Sequence, residues 1–141
     1  MLQVYTFLHT SEKNDIATAM NCLTEKASEI NMREAQFFPK SKYAEALGGS
    51  LVKHMGEVFN SKYSIEDGKD SYRVILEECG CIGCIQKDSD EFGLDDTTCR
   101  TIFCGACLGG YRLSAEKLGV KFKGSLSPLG CIMTFSSRKD R

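Results

Sequence analysis

The sequence has few histidines and almost no net charge, and both shortages exclude classes of function. Its two histidines, His9 and His54, lie in no recognisable catalytic motif, so a Ser-His-Asp or Cys-His hydrolase cannot be assembled from it. The 18 Lys and Arg residues against 19 Asp and Glu residues give a net charge of -1. No net field therefore attracts nucleic acid or an anionic membrane, and we expect neither as a partner.

Long apolar runs and proline-rich stretches are also absent from the sequence. No segment approaches the roughly 20 apolar residues that span a bilayer, and Met1 to Leu8 lacks the basic flank and the cleavage site of a signal peptide. With no repeat, low-complexity tract or proline-rich linker, the 141 residues indicate a single domain, 1–141. We expect a cytoplasmic location, where a reducing pool keeps cysteine thiols free.

The first half of the chain, 1–70, reads as a mainly helical packing half. Leu2 to Leu8 predicts a strand, and Thr10 or Ser11 can cap a helix after it. Three-and-four spacing gathers one apolar face on that helix, formed by Ile16, Ala19, Met20, Leu23, Ala27 and Ile30. His9 and His54 are expected to be core or boundary histidines rather than ligands.

A second helix is predicted to open at Ser41, after Pro39 ends the first. Its apolar side carries Tyr43, Leu47, Leu51, Met55 and Phe59. Gly48 and Gly49 weaken a helix, so we expect close packing of this helix against another backbone. We interpret the apolar side as the wall of a cavity that binds a small hydrophobic or aromatic ligand.

The second half, 71–141, is rich in cysteine and is predicted to contain a strand, a loop, a helix and a terminal hairpin. Tyr72 to Glu77 predicts a strand after a turn at Glu66 to Lys69. A third helix is predicted from Asp95 to Leu118, ending at Gly119, and a terminal hairpin pairs 120–122 with 131–135. The predicted order is β-α-α-β-α-β-β. The fold class is α+β, with a small antiparallel or mixed sheet packed with about three helices.

Seven of the eight cysteines lie in the second half, which indicates a site there. Cys79, Cys81 and Cys84 stand among glycines in what we expect to be a loop that continues as an acidic loop from Lys87 to Asp96. Two C-x2-C pairs, Cys81 with Cys84 and Cys104 with Cys107, have the spacing of a four-thiolate metal site. The candidate metal ligands are Cys79, Cys81, Cys84, Cys99, Cys104 and Cys107.

Three interpretations of these cysteines stay open. A zinc ion and an iron-sulfur cluster use the same thiolate ligands, and spacing alone does not choose between them. Buried cysteines can instead be small apolar side chains, an interpretation that suits Cys22 and Cys131 best. Alternatively, either C-x2-C pair can act as a dithiol redox switch, because a helix start favours a thiolate.

The stretch from Cys99 to Gly109, with Gly105 between them and a final strand bearing Gly130 and Phe135, resembles the vinyl-reductase-like small-molecule-binding domain family. The resemblance covers roughly residues 72–135. It implies a cysteine-and-glycine helix followed by a final hairpin, zinc binding, and a role in sensing aromatic or hydrocarbon ligands or in tetrapyrrole metabolism. The family's late glutamate and cysteine ligands have no counterpart in 121–129, so its metal site is not transferred.

Together these observations predict a metal-binding small-molecule-binding or sensor domain with a thiolate zinc or iron-sulfur site. The alternative is a redox or catalytic protein that uses an iron-sulfur cluster or a reactive dithiol. Whether the chain is an enzyme stays open, and the sequence is compatible with a homodimer. Metal identity, organic ligand and pathway are not determined by the sequence.

Overall fold

The computed structural model describes residues 16–93 and 95–137, which form four α-helices and a four-stranded antiparallel sheet. Helix α1 is Ile16–Ala35, and α2 is Tyr43–Leu51, which continues as a π-helical turn, Val52–Glu57. Strands β1, Lys62–Asp67, and β2, Ser71–Glu78, follow. Helices α3, Gly80–Phe92, and α4, Asp96–Leu118, precede strands β3, Val120–Leu126, and β4, Cys131–Ser137. The predicted α+β class with a small antiparallel sheet is confirmed.

The sheet has the strand order β1-β2-β4-β3, and the helices cover one of its faces. Alternate residues of the two central strands are buried, namely Val74 and Leu76 on β2 and Met133 and Phe135 on β4. Val74 stands opposite Met133 in the register, so the apolar side chains line the same face. Leu47 and Leu51 of α2 complete this core from the helical side.

Helix α4 and the terminal hairpin lie where the sequence predicts them. The Asp95 side chain accepts hydrogen bonds from the backbone N–H groups of Thr97 and Thr98, which caps α4. Gly119 ends the helix in the left-handed conformation at φ 70. The β3-β4 hairpin pairs Phe122 with Phe135, and both predictions are confirmed.

The segment from Cys79 to Asp96 was expected to be a loop, and this expectation is wrong. Helix α3 occupies most of it and ends at Gly93, which has φ 66. The helix forms because Ile82, Ile85 and Ser89 recur at helical spacing and are almost fully buried. Burial of this stripe offsets the weak helix propensity of the glycines among the cysteines.

The sequence did not predict strand β1 or helix α3, so the predicted element order is wrong. Among the described residues the order is α-α-β-β-α-α-β-β. Strand β1 is an edge strand on which Tyr63 is partly buried and Ser64 to Asp67 are exposed, so its sequence lacks a buried alternation. The predicted strand at Leu2 to Leu8, its helix caps and His9 lie outside the described residues.

The two glycines of α2 do not have the role expected from the sequence, which is close packing of the helix against another backbone. A Cβ atom on Gly48 would lie 2.0 Å from Cδ1 of Tyr72, so this glycine makes room for an aromatic ring of the sheet rather than for another backbone. A Cβ atom on Gly49 would meet nothing within 4 Å. The first of the two glycines therefore has a packing role.

Candidate thiol centre and neighbouring groove

Five cysteines surround one small cavity between helices and sheet. Cys79 lies between β2 and α3, Cys81 in the first turn of α3, Cys104 and Cys107 on α4, and Cys131 at the start of β4. The cavity has a volume of about 90 Å³. All five thiols are free, so one small space collects thiols from four parts of the chain.

Two close backbone contacts hold the walls of this thiol cavity together. A Cβ atom on Gly80 would lie 1.8 Å from the carbonyl oxygen of Phe59, and one on Gly130 would lie 1.7 Å from that of Leu76. Only glycine fits at either position without a backbone shift. The N–H of Cys79 also donates to the carbonyl oxygen of Leu129 at 2.7 Å, which ties the start of α3 to the β3-β4 turn.

Apart from the thiols, the cavity is lined by apolar and thioether side chains. The thioethers belong to Met55 and Met133, and the other lining residues are Leu76, Ile82, Ile85, Phe103, Leu126 and Gly130. No lining residue carries a carboxylate or an imidazole. The side chains therefore offer only soft sulfur ligands, which select thiophilic metals over hard cations such as Ca²⁺ or Mg²⁺.

Arg100 of α4 fixes the turn that leads into Cys131. Its guanidinium donates to the carbonyl oxygens of Ser127, of Pro128 at 2.7 Å and of Gly130 at 3.4 Å. The same side chain lies beside Cys104, where its positive charge favours the thiolate. Arg100 thus positions one wall of the cavity and supplies a charge that can offset a thiolate.

Burial raises the pKa of four of the cavity thiols, which belong to Cys81, Cys104, Cys107 and Cys131. It raises the pKa of Cys81 and of Cys131 to about 12 in each case, and the neighbouring thiols contribute to the increase. Burial also raises the pKa of Cys107 well above its ordinary value. For Cys104, burial raises the pKa and outweighs the opposing effect of Arg100. At neutral pH these thiols are therefore weak nucleophiles.

The structure brings four of the six predicted metal ligands to the cavity, Cys79, Cys81, Cys104 and Cys107, while the remaining two do not line it. Cys99 is 2 % exposed and packs with Ile85 and Ile102, and Cys84 lies outside the lining. Cys131, interpreted as a buried apolar residue, lines the cavity. Its register position opposite Leu76 explains this, and only the pairing of β2 with β4 creates it.

In the described part of the chain, no three His, Cys, Asp or Glu side chains are already grouped so that they could hold a metal ion. The five thiols share a cavity without converging on one point. A cysteine has one side-chain torsion that moves its sulfur between staggered positions. Binding a metal in this cavity therefore requires cysteine rotations.

The predicted ligand-binding side of the second helix divides between core and cavity. Leu47 and Leu51 are fully buried in the core, and Tyr43 is partly buried against it. Met55 lines the thiol cavity, and Phe59 lines a separate groove. The π-helical turn, Val52–Glu57, lies between Leu51 and Phe59, so these two residues are not related by regular α-helical geometry.

This groove runs between α1, the π-helical turn and α4, and has a volume of about 360 Å³. Its residues are mostly apolar: Leu23, Ala27, Ile30, Asn31, His54, Met55, Val58, Phe59, Phe103, Ala106, Cys107 and Tyr111. Ile30 and Val58 are 50 % and 69 % exposed at its rim. Met55, Phe103 and Cys107 line both spaces, so the groove and the thiol cavity share a wall.

Polar groups of the groove belong to two small networks. The Ser50 hydroxyl lies 3.3 Å from the Tyr111 hydroxyl and donates to Oδ1 of Asn31 at 3.5 Å. His54 Nε2 lies 2.6 Å from Oε1 of Glu34. Burial raises the pKa of Glu34, but hydrogen bonds and charge from His54, with smaller effects of Ser50 and Lys53, outweigh it and lower the pKa overall.

Comparison with protein-family models, curated proteins and solved structures found no match. Within residues 16–93 and 95–137, no helix is both long enough and apolar enough to cross a bilayer. Fold and site together define an α+β domain with a five-thiol cavity beside an apolar groove.

Proposed function

We propose that this domain binds a thiophilic metal centre, a zinc ion or an iron-sulfur cluster, in the cavity formed by Cys79, Cys81, Cys104, Cys107 and Cys131. The observation that carries the proposal is that five thiols line one cavity, and that the described residues of its lining include no oxygen or nitrogen side-chain ligand. Four thiolates satisfy tetrahedral zinc or a cluster, and a fifth remains. Such a site requires reduced thiols, which agrees with a cytoplasmic location.

Metal binding explains the burial of these thiols better than a dithiol switch does. A reactive dithiol needs a thiolate that is stable near neutral pH, whereas burial raises the pKa of Cys81 and Cys131 to about 12. A bound metal ion removes the thiol protons itself because the cation stabilises the thiolates. The raised pKa values then make metal affinity increase with pH.

The apolar groove supports small-molecule binding as a second function of the same domain. Its volume of about 360 Å³ falls within the range of roughly 300 to 1,000 Å³ that ligand pockets occupy. Its shared wall with the thiol cavity gives a physical path by which a ligand can affect a metal centre. This combination agrees with the resemblance to vinyl-reductase-like small-molecule-binding domains.

The test is anaerobic purification followed by elemental analysis and visible absorption. We expect stoichiometric metal, with broad visible absorption for a cluster and no colour for zinc. Cys81→Ser and Cys104→Ser each leave four thiols in the cavity, so we expect the double variant Cys81→Ser/Cys104→Ser to lose metal and to unfold more easily, because metal-binding energy is partly folding energy. Cys99→Ala is the matched control, since Cys99 is buried on the same helix as Cys104 but does not line the cavity. Full metal occupancy in the double variant contradicts the proposal.

A further inference from the structure

The apolar groove contains one buried polar group that has no partner. Asn31 is 4 % exposed, and within residues 16–93 and 95–137 its Nδ2 atom has no hydrogen-bond acceptor. Its Oδ1 atom is occupied by the Ser50 hydroxyl. The Ser50 and Tyr111 hydroxyl oxygens lie 3.3 Å apart. With Oδ1 in contact with Ser50, Nδ2 is left as a donor without an acceptor in the described part of the chain.

A buried donor without an acceptor is unfavourable and rare in folded proteins. Asn31 lines the groove together with Ala27, Ile30 and Phe103, so an occupant of the groove is placed to supply the acceptor. An apolar groove with a single polar anchor is the usual composition of a small-molecule site. The unpaired amide therefore identifies the functional group that the ligand must carry.

We propose that the groove binds a neutral, largely apolar small molecule through a carbonyl oxygen that accepts a hydrogen bond from Nδ2 of Asn31. The proposal rests on the small-molecule function inferred above and adds the chemistry of the ligand. The carbonyl end lies at Asn31, and the apolar body lies along Phe103 and Met55. Ile30 and Val58, the exposed residues of the rim, cover the remainder of the body.

The neutrality of the ligand follows from the charges around the groove. Among the described residues that line the groove, His54 is the one that can carry a positive charge, and it is already paired with the Glu34 carboxylate at 2.6 Å. Lys53 lies 3.7 Å from the same carboxylate oxygen. No lining residue thus offers an unpaired charge to an ionic ligand, and desolvating an unpaired ion in an apolar groove is costly.

The proposal can be tested with two probes of similar shape, benzophenone and diphenylmethane, of which only the first has a carbonyl oxygen. We expect the full-length protein to bind benzophenone about tenfold more tightly, as one buried hydrogen bond allows. Asn31→Leu should remove this difference and leave the binding of diphenylmethane unchanged within about twofold. Asn21→Leu is the matched control, because Asn21 is exposed on the same helix.

Two measurements on the unmutated protein keep the test independent of how well Asn31→Leu folds. The side-chain amide proton resonances of Asn31 should move further downfield with benzophenone than with diphenylmethane, because only the carbonyl oxygen accepts a hydrogen bond. Photolysis of bound benzophenone should label groove residues, with Met55 and Val58 among them. Labelling confined to residues outside the groove overturns the proposal.

The remaining outcomes separate this inference from the function on which it rests. If neither probe binds, the small-molecule function and the inference both fail. If both probes bind equally, the small-molecule function stands and the inference is overturned. Binding that weakens as protein concentration rises shows that a second copy of the chain covers the groove, which also overturns it. Metal content, measured in parallel, should be the same in Asn31→Leu and in the unmutated protein.

Discussion

The hydroxyl oxygens of Ser28 and Ser114 lie 3.0 Å apart inside the interface between α1 and α4, and both residues are fully buried. The Ser114 hydroxyl also contacts the carbonyl oxygen of Gly110, to which it donates at 2.9 Å. A Cβ atom on Gly110 would lie 2.7 Å from that of Ala27. Small residues therefore set the close approach of the two helices that frame the groove.

We expect Gly110→Ala to destabilise the protein by about 1 to 3 kcal/mol, because the added methyl group forces α1 and α4 apart. The matched control is Gly49→Ala, where a Cβ atom meets nothing within 4 Å. This control should be neutral or stabilise by up to about 1 kcal/mol through better helix propensity. Urea unfolding measures both variants, and equal stability of the two contradicts the packing account.

The thiol cavity should depend strongly on Gly130. In Gly130→Ala the added Cβ atom meets the carbonyl oxygen of Leu76 at 1.7 Å, so β2 and β4 must separate next to Cys131. We expect a loss of about 3 kcal/mol or more and loss of bound metal. Gly83→Ala, which has open space around it although it lies between Cys81 and Cys84, should keep both stability and metal. Retention of bound metal in Gly130→Ala would contradict this prediction.

The metal-free protein should lose stability as pH rises from about 9 towards 12. The unfolded chain ionises its thiols near the ordinary value of 9.0, whereas burial raises the pKa of Cys81 and Cys131 to about 12 in the folded protein. The folded state then binds more protons than the unfolded state in this window, so stability falls there and is fully present below it. Urea midpoints measured across this range under reductant check the effect. The decline should be smaller in a Cys81→Ala/Cys131→Ala variant.

Alkylation should modify Cys22 before the cavity thiols. Cys22 is exposed on α1, whereas Cys81 and Cys131 are shielded and burial raises the pKa of each to about 12. Limited iodoacetamide treatment of the metal-free protein at pH 8, followed by peptide mass spectrometry, gives the order. Modification of Cys81 as fast as Cys22 would instead favour the reactive-dithiol alternative.

Several elements could be predicted because their signals are local. The ends of α4 follow from Asp95, whose carboxylate accepts from nearby backbone N–H groups, and from Gly119, which adopts a positive φ. The alternation of Val74 and Leu76 marks β2 as a strand with one buried face. Helix α3 was missed because its stripe of Ile82 and Ile85 is short and stands among residues typical of loops. Its stability depends on packing against α4.

The sequence by itself determined that seven of the eight cysteines are concentrated in the second half, and that their spacing suits thiolate chemistry. The tertiary structure decided which of them meet. Sheet pairing brings Cys131 to the end of β2 beside Cys79, while helix packing turns Cys99 towards Ile85 and Ile102. Nothing in the sequence indicated that Nδ2 of Asn31 is buried without a hydrogen-bond acceptor among the described residues. Such facts depend on contacts between residues distant in the chain, which local propensity and spacing do not encode.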